Sequence, residues 1–188
     1  MINLSKGQKI DLTKNADIKR IRVGLGWDEA VSGVDIDCDA SCLLLNSKEK
    51  LAFDKDKKSI VYFGSLKHHG LEHSGDNLTG EGEGDDENIF VNLDEVPKEV
   101  DKILVIMNIY KASERKQSLG MLKNAYINVY DDKNNTQLCH FALDEDYGKC
   151  QGLIVGEVYR HDNEWKFSAI GEAVKDASFI KDISSRYE

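Results

Sequence analysis

The sequence predicts an all-β chain, an antiparallel β-sandwich with long acidic loops and a short carboxy-terminal helix. Short runs of alternating apolar and polar residues recur along the 188 positions, joined by polar turns and without interleaved helices. Pro97 is the single proline, and strand patterns dominate the rest. Two segments with compact polar centres have the form of β-hairpins.

In chain order, residues 8–12 alternate and 18–25 form a longer strand. Residues 35–45 have period two, which turns Asp35, Asp37 and Asp39 to one side and Ile36, Cys38, Ala40 and Cys42 to the other. Strands follow at 59–63 and 88–93. Residues 102–110 are nearly all apolar, as a central strand covered on both faces requires. Residues 125–130 and 136–143 flank the turn Asp131-Asp132-Lys133-Asn134-Asn135. Residues 152–161 and 164–171 form a second hairpin around Asp162-Asn163. Only two segments read as helical. Residues 95–100 would make one short turn. Residues 172–187 place Ala173, Ala177, Ile180 and Ile183 at helical spacing, to pack on the sandwich. Residues 112–123 break the strand rhythm and carry positive charge; they read as a partner surface or as a plain crossover.

Ser74 to Glu87 is the most informative stretch. It holds six carboxylates and Asn77 among four glycines, with Leu78 its single aliphatic side chain and no positive charge. Like charges this close repel, and the glycines add backbone entropy that folding must overcome. A hard divalent cation resolves both: calcium takes about six to eight oxygens, and glycine lets the chain bend so that they converge. The alternative is a solvated acidic loop. Asp35, Asp37 and Asp39 tip the balance. Three aspartates on one strand face are unfavourable without a counter-ion, and no Lys or Arg lies between Glu29 and Asn46. A cation shared by strand and loop is the economical solution, against an acidic strand end paired with distant lysines. The spacing is not that of an EF-hand, whose loop runs Asp-x-Asp-x-Asp/Asn-Gly between helices.

These residues resemble the TerD family of bacterial tellurite-resistance and general stress proteins. The similarity lies in Ile2-Asn3-Leu4-Ser5-Lys6-Gly7-Gln8, Val23-Gly24-Leu25-Gly26-Trp27-Asp28, Asp35-Ile36-Asp37-Cys38-Asp39-Ala40-Ser41 and, most specifically, the run from Gly75 to Glu87. Gly156-Glu157-Val158-Tyr159-Arg160-His161 and Glu164-Trp165-Lys166-Phe167 continue it. Two positions depart from the family pattern: Glu83 stands where Asp is usual, and Cys38 where Leu is more frequent. The resemblance implies a single TerD-type domain over 1–188, with the sandwich at about 1–171 and the helix at about 172–187. It also implies calcium binding through the acidic segments, a cytoplasmic location and a place in stress-response operons. Resistance to tellurite, phage, colicins and oxidising or DNA-damaging stress is a phenotype of the whole gene cluster and names no reaction.

The expected ligands are Asp35, Asp37, Asp76, Asp85, Asp86 and Glu87, with Asn77 and Glu83, then Asp28 and Asp39, and loop carbonyls, around two calcium ions. Other tellurite-resistance or stress proteins are the expected partners. A calcium-dependent membrane module is a second reading, although Leu78, Lys67 and His68-His69 give the loop little apolar or basic rim. A metal-dependent hydrolase using Asp28, Asp35 and Asp86 is a third, without an evident nucleophile, separate base or substrate anchor.

The net charge of -9 and pI of about 5.1 argue against nucleic acid as a partner. No apolar run approaches the roughly twenty residues of a membrane span, and the first residues lack a signal-peptide pattern, so a cytoplasmic protein is expected. Cys38, Cys42, Cys139 and Cys150 form no C-x-x-C pair, and buried core thiols are expected ahead of any capture of tellurium. His68, His69 and His73 are expected in a hydrated loop, and His161 in a turn.

Overall fold

The computed structural model describes residues 1–14, 17–29, 35–53, 58–77, 84–145 and 147–188. Its strands are β1 (Ile2–Leu4), β2 (Lys9–Asp11), β3 (Arg20–Glu29), β4 (Cys38–Leu45), β5 (Ile60–Val61), β6 (Lys67–His68), β7 (Leu71–His73), β8 (Glu87–Asn92), β9 (Lys102–Ile109), β10 (Leu122–Asp131), β11 (Thr136–Ala142), β12 (Gly152–His161) and β13 (Glu164–Val174). Two short helices accompany them, α1 (Ala112–Arg115) and α2 (Ile180–Ser184). A seven-stranded sheet runs β1-β11-β10-β3-β8-β7-β6, and a six-stranded sheet runs β2-β13-β12-β9-β4-β5. This is the all-β sandwich that the alternation requires. β1 and β11 pair in parallel; every other ladder is antiparallel among the described residues.

The core lies between the sheets, because each strand turns every second residue inward. Ile21, Val23 and Leu25 of β3 and Ile89 and Val91 of β8 meet Cys38, Ala40, Cys42 and Leu44 of β4 and Ile103, Val105 and Met107 of β9. The other face of β4 and β9 is covered as well. There Leu43, Leu45, Leu104 and Ile106 pack with Val174, Ala177 and Ile183 under the carboxy-terminal segment. Residues 102–110 therefore form the doubly covered strand their composition demands.

Several boundaries differ from the sequence reading. The carboxy-terminal helix begins at Ile180, since β13 runs to Val174 with Glu172–Val174 in register against Gly152–Ile154 of β12. Pairing with a neighbouring strand overrides the helical spacing at Ala173, and Ala177 falls in the connection between β13 and α2. Residues 95–100 are turns, not a helix, and the 112–123 connection contains α1 and a 3₁₀ turn at Leu119–Met121. β4 starts at Cys38, three residues after Asp35. The segment read at 59–63 is a strand at Ile60–Val61 alone. Among the described residues no helix is long and apolar enough to cross a membrane.

Cys38, Cys42 and Cys139 are buried as free thiols, as expected. Burial pushes all three thiols up, Cys139 to about 12, so they are poor thiolate nucleophiles. His73 is a correction. It is not hydrated loop but the buried last residue of β7.

Candidate metal centre

The centre forms where the acidic end of β4 meets the chain leaving β7. Cys38 and Ala40 fill the sandwich core, so Asp37 and Asp39 turn the other way, yet they are only 5% and 4% exposed. The ladder continues past the strand end, with the Tyr110 N–H donating to the Asp37 carbonyl at 2.8 Å. Gly75 adopts φ 111°, a backbone that side chains rarely tolerate, and delivers Asp76 from the opposite sheet. One carboxylate oxygen from each of Asp37, Asp39 and Asp76 lies within 4.8 Å of the other two. Two ligands of one calcium ion stand at most about 5 Å apart, given Ca–O distances of about 2.3–2.6 Å. The three side chains satisfy that limit.

Their electrostatics match a cation's counter-charge. Burial pushes the Asp39 carboxyl up to about 8, reinforced by Glu87, Asp37 and Asp76, against the Asn108 hydrogen bond. Burial also raises Asp37, with Arg115 pulling the other way. Arg115 Nη1 sits 3.3 Å from Asp37 Oδ2, while Asp37 Oδ1 is buried with no hydrogen-bond partner among the described residues. An orphaned buried carboxylate oxygen inside an all-oxygen cluster is the donor a hard cation takes.

Behind the triad, Glu87 fastens the two sheets together. Its Oε2 accepts the Ala40 N–H at 2.6 Å, and its Oε1 accepts the Asn77 N–H at 3.0 Å. The Gly75 N–H donates to His73 Nδ1, which leaves His73 Nε2–H to donate to the Ala40 carbonyl at 3.0 Å, with Glu87 Oε2 at 3.3 Å. β5 pairs with β4 only at Cys42 and Leu43. At Ala40, side chains from the other sheet supply the partners that a longer β5 would have given.

The remaining expected ligands are placed differently. Asp85 turns to the outer face of β3, where Arg22 Nη1 binds its Oδ2 at 2.8 Å and Asn128 Nδ2 its Oδ1 at 3.0 Å. The guanidinium also stacks 3.9 Å from the Tyr130 ring. Gly24 makes this possible, since a Cβ there would collide with the Asp85 carboxyl. Asp86 Oδ2 accepts the Trp27 N–H at 2.8 Å, and its carboxyl is raised to about 6 by burial and by Asp28, Asp85 and Glu87. Asp28 is exposed, with Asn124 Nδ2 donating to its Oδ2 at 2.7 Å. Asp35 is exposed too, its carbonyl taken by Gln117 Nε2 at 2.8 Å. Asn77 Nδ2 donates to the Asp86 carbonyl at 3.3 Å. Glu83 lies outside the described residues. The structure thus gathers Asp37, Asp39 and Asp76 tightly, and sets Asp28, Asp85 and Asp86 along β3 as a separate acidic group.

The TerD domain model matches residues 1–187. The chain belongs to the TerD family. This TerD chain is 44% identical to Stress response protein SCP2 of Bacillus subtilis (strain 168), over 99% of this chain and 98% of that one. It is 42% identical to Tellurium resistance protein TerD of Serratia marcescens, over 91% of this chain and 90% of that one. A crystal structure of a homologue of telluride resistance protein (TerD) from Streptomyces coelicolor A3(2) shares the fold, with a TM-score of 0.65 at 16% identity, covering 85% of this chain and 92% of that one.

Sequence reasoning missed the groups that answer the TerD acidic residues. Arg115 lies in the basic connection, read as a partner surface, and reaches Asp37 from α1. Its approach is set by Lys111 and Lys116, which flank α1 with left-handed backbone at φ 53° and 55°. Arg22 had a faint signal, because a charged residue between the strand glycines and apolar neighbours needs a partner. His73 had none beyond its place beside Gly75.

Proposed function

We propose that this chain is a calcium-binding module of the tellurite-resistance and chemical-stress response, acting through calcium-dependent interaction or sensing rather than catalysis. The observation that carries the reading is the triad of Asp37, Asp39 and Asp76 with the orphaned Asp37 Oδ1. The stress part rests on the names of the relatives. Asp37, Asp39 and Asp76 would hold one ion, with Glu87 and His73 fixing the backbone behind them. Asp86 and Asp28 are the carboxylates for a second ion, because both oxygens of Asp85 are already taken, by Arg22 and Asn128. Bound calcium would supply positive charge at the join of strand and loop, and so tie the two sheets together at that end. What the module meets when so ordered is another protein of the stress response, by this reading.

Calorimetric titration tests it. Calcium is expected to bind far more tightly than magnesium, whose near-octahedral demand a splayed carboxylate set meets poorly. Melting curves that coincide in calcium and in chelator would sink the reading, since a ligand of the folded state alone must raise its stability.

A further inference from the structure

Next to the triad, on the outer face of β4, lies a cavity of about 350 Å³, within the size range of ligand pockets. Its floor is polar. Asp39 and Ser41 line it, and Ser41 Oγ, on a residue 1% exposed, has no hydrogen-bond partner among the described residues. A buried hydroxyl left unpaired is costly unless a ligand meets it.

The walls are aromatic. Tyr62 and Phe63 pack edge to face at 5.3 Å and 75°, Phe63 and Tyr110 at 5.7 Å and 84°, and Tyr110 and Phe179 at 5.7 Å and 87°. Rings turned nearly at right angles to their neighbours enclose a box. Ring faces attract cations, and Tyr110 already holds Lys111 Nζ at 5.4 Å and the Arg115 guanidinium at 5.6 Å. At the lip stand Lys181 and Asp182, the latter accepting the Phe179 N–H at 2.9 Å and so fixing the start of α2. The unpaired Ser41 hydroxyl on the floor, the aromatic walls and the Asp182 carboxylate at the lip together suit a compact organic cation.

We infer that this cavity binds an alkylammonium head group, either of a free small amine or of a methylated lysine side chain on a partner polypeptide. Ring faces would surround the methyls, while the floor takes any hydroxyl or N–H the ligand carries. The site shares Asp39 with the proposed calcium centre but does not depend on it, as its aromatic walls and Ser41 lie outside the triad.

The test is an NMR titration of the full chain, in calcium and separately in chelator, with choline and with its neutral isostere 3,3-dimethylbutan-1-ol. Choline should shift the resonances of Phe179 and Tyr110 saturably, and the neutral isostere should bind about tenfold more weakly or not at all. Phe179→Leu keeps apolar bulk but removes the ring; with Phe179 40% exposed, the fold should tolerate it, and choline binding should fall about fivefold to tenfold. A peptide carrying trimethyllysine distinguishes the sources. Tighter binding than choline assigns a protein partner, and weaker binding a free amine. Equal binding of choline and the neutral isostere, or no saturable shift at these rings, overturns the inference. Because Phe179 and Tyr110 report the cavity directly, failure of calcium to bind would leave this result readable.

Discussion

His73 Nε2 lies 3.3 Å from Glu87 Oε2 in a fully buried contact that joins two neighbouring strands of one sheet, and both side chains reach the same residue, Ala40, in the other. The pair stands in for missing backbone partners, and its orientation is fixed because the Gly75 N–H occupies His73 Nδ1.

Removing the imidazole should therefore cost more than a cavity. His73→Ala strips a donor from a buried carbonyl and a buried carboxylate, and a loss of about 2–3 kcal/mol is expected. Calcium affinity should fall with it, as Asp76 and Asn77 lose their anchor. Denaturant unfolding in chelator checks the first part; a midpoint within error of the unsubstituted chain would show the contact to be idle.

Asp37→Asn and Asp76→Asn should each weaken calcium binding, and the double variant should lose less than the sum. Sites that do not share an ion add within about 0.5 kcal/mol, so the cycle tells one ion from two. Asp85→Asn is the contrast: it leaves Arg22 poorly matched, and is expected to lower stability more than calcium affinity.

In chelator the fold should weaken as pH rises. Asp39 is raised to about 8 and Asp86 to about 6, and Asp37 is raised as well, all above their usual carboxylate values. The folded chain then holds protons that the unfolded chain has released, so stability present at low pH is lost as pH climbs through the folded values. Melting temperature in chelator should fall between about pH 4 and pH 8, and Asp39→Asn should flatten the upper part of that decline. Calcium should bind more tightly toward pH 8 because it displaces the Asp39 proton. A flat profile in chelator would contradict the burial of these carboxyls.

Gly24→Ala should expel the Asp85 carboxyl from its seat against β3. A loss of about 1–3 kcal/mol is expected from the forced shift. Crosslinking or NMR should show the Arg22–Asp85 pair broken, and an intact pair in the variant would mean that the strand gives way instead.

The sandwich was legible because period two survives in nearly every strand, and β9 announced its double cover by being apolar at nearly every position. The acidic triad was half legible. Alternation put Asp37 and Asp39 on one side, and Gly75 marked the bend that brings Asp76, but strand and loop carboxylates looked interchangeable from composition. What separates them is tertiary: Arg22 answers Asp85 across 63 residues of chain, and Arg115 answers Asp37 across 78. Charges that distant leave no local pattern. The late start of α2 was hidden for a similar reason, since Ala173 fits helical spacing while its surroundings offered β12 as a partner.

The closure at Ala40 also bears on how the protein behaves among its own copies. A strand edge with free N–H and C=O groups invites another chain to add a strand, and β5 is too short to shield β4 along its length. Glu87 and His73 occupy those two groups from within the same molecule, using only main-chain atoms of residue 40. The guard therefore does not rest on the Ala40 side chain, which belongs to the core, and loss of either guard would open a templating edge at this end of the sandwich.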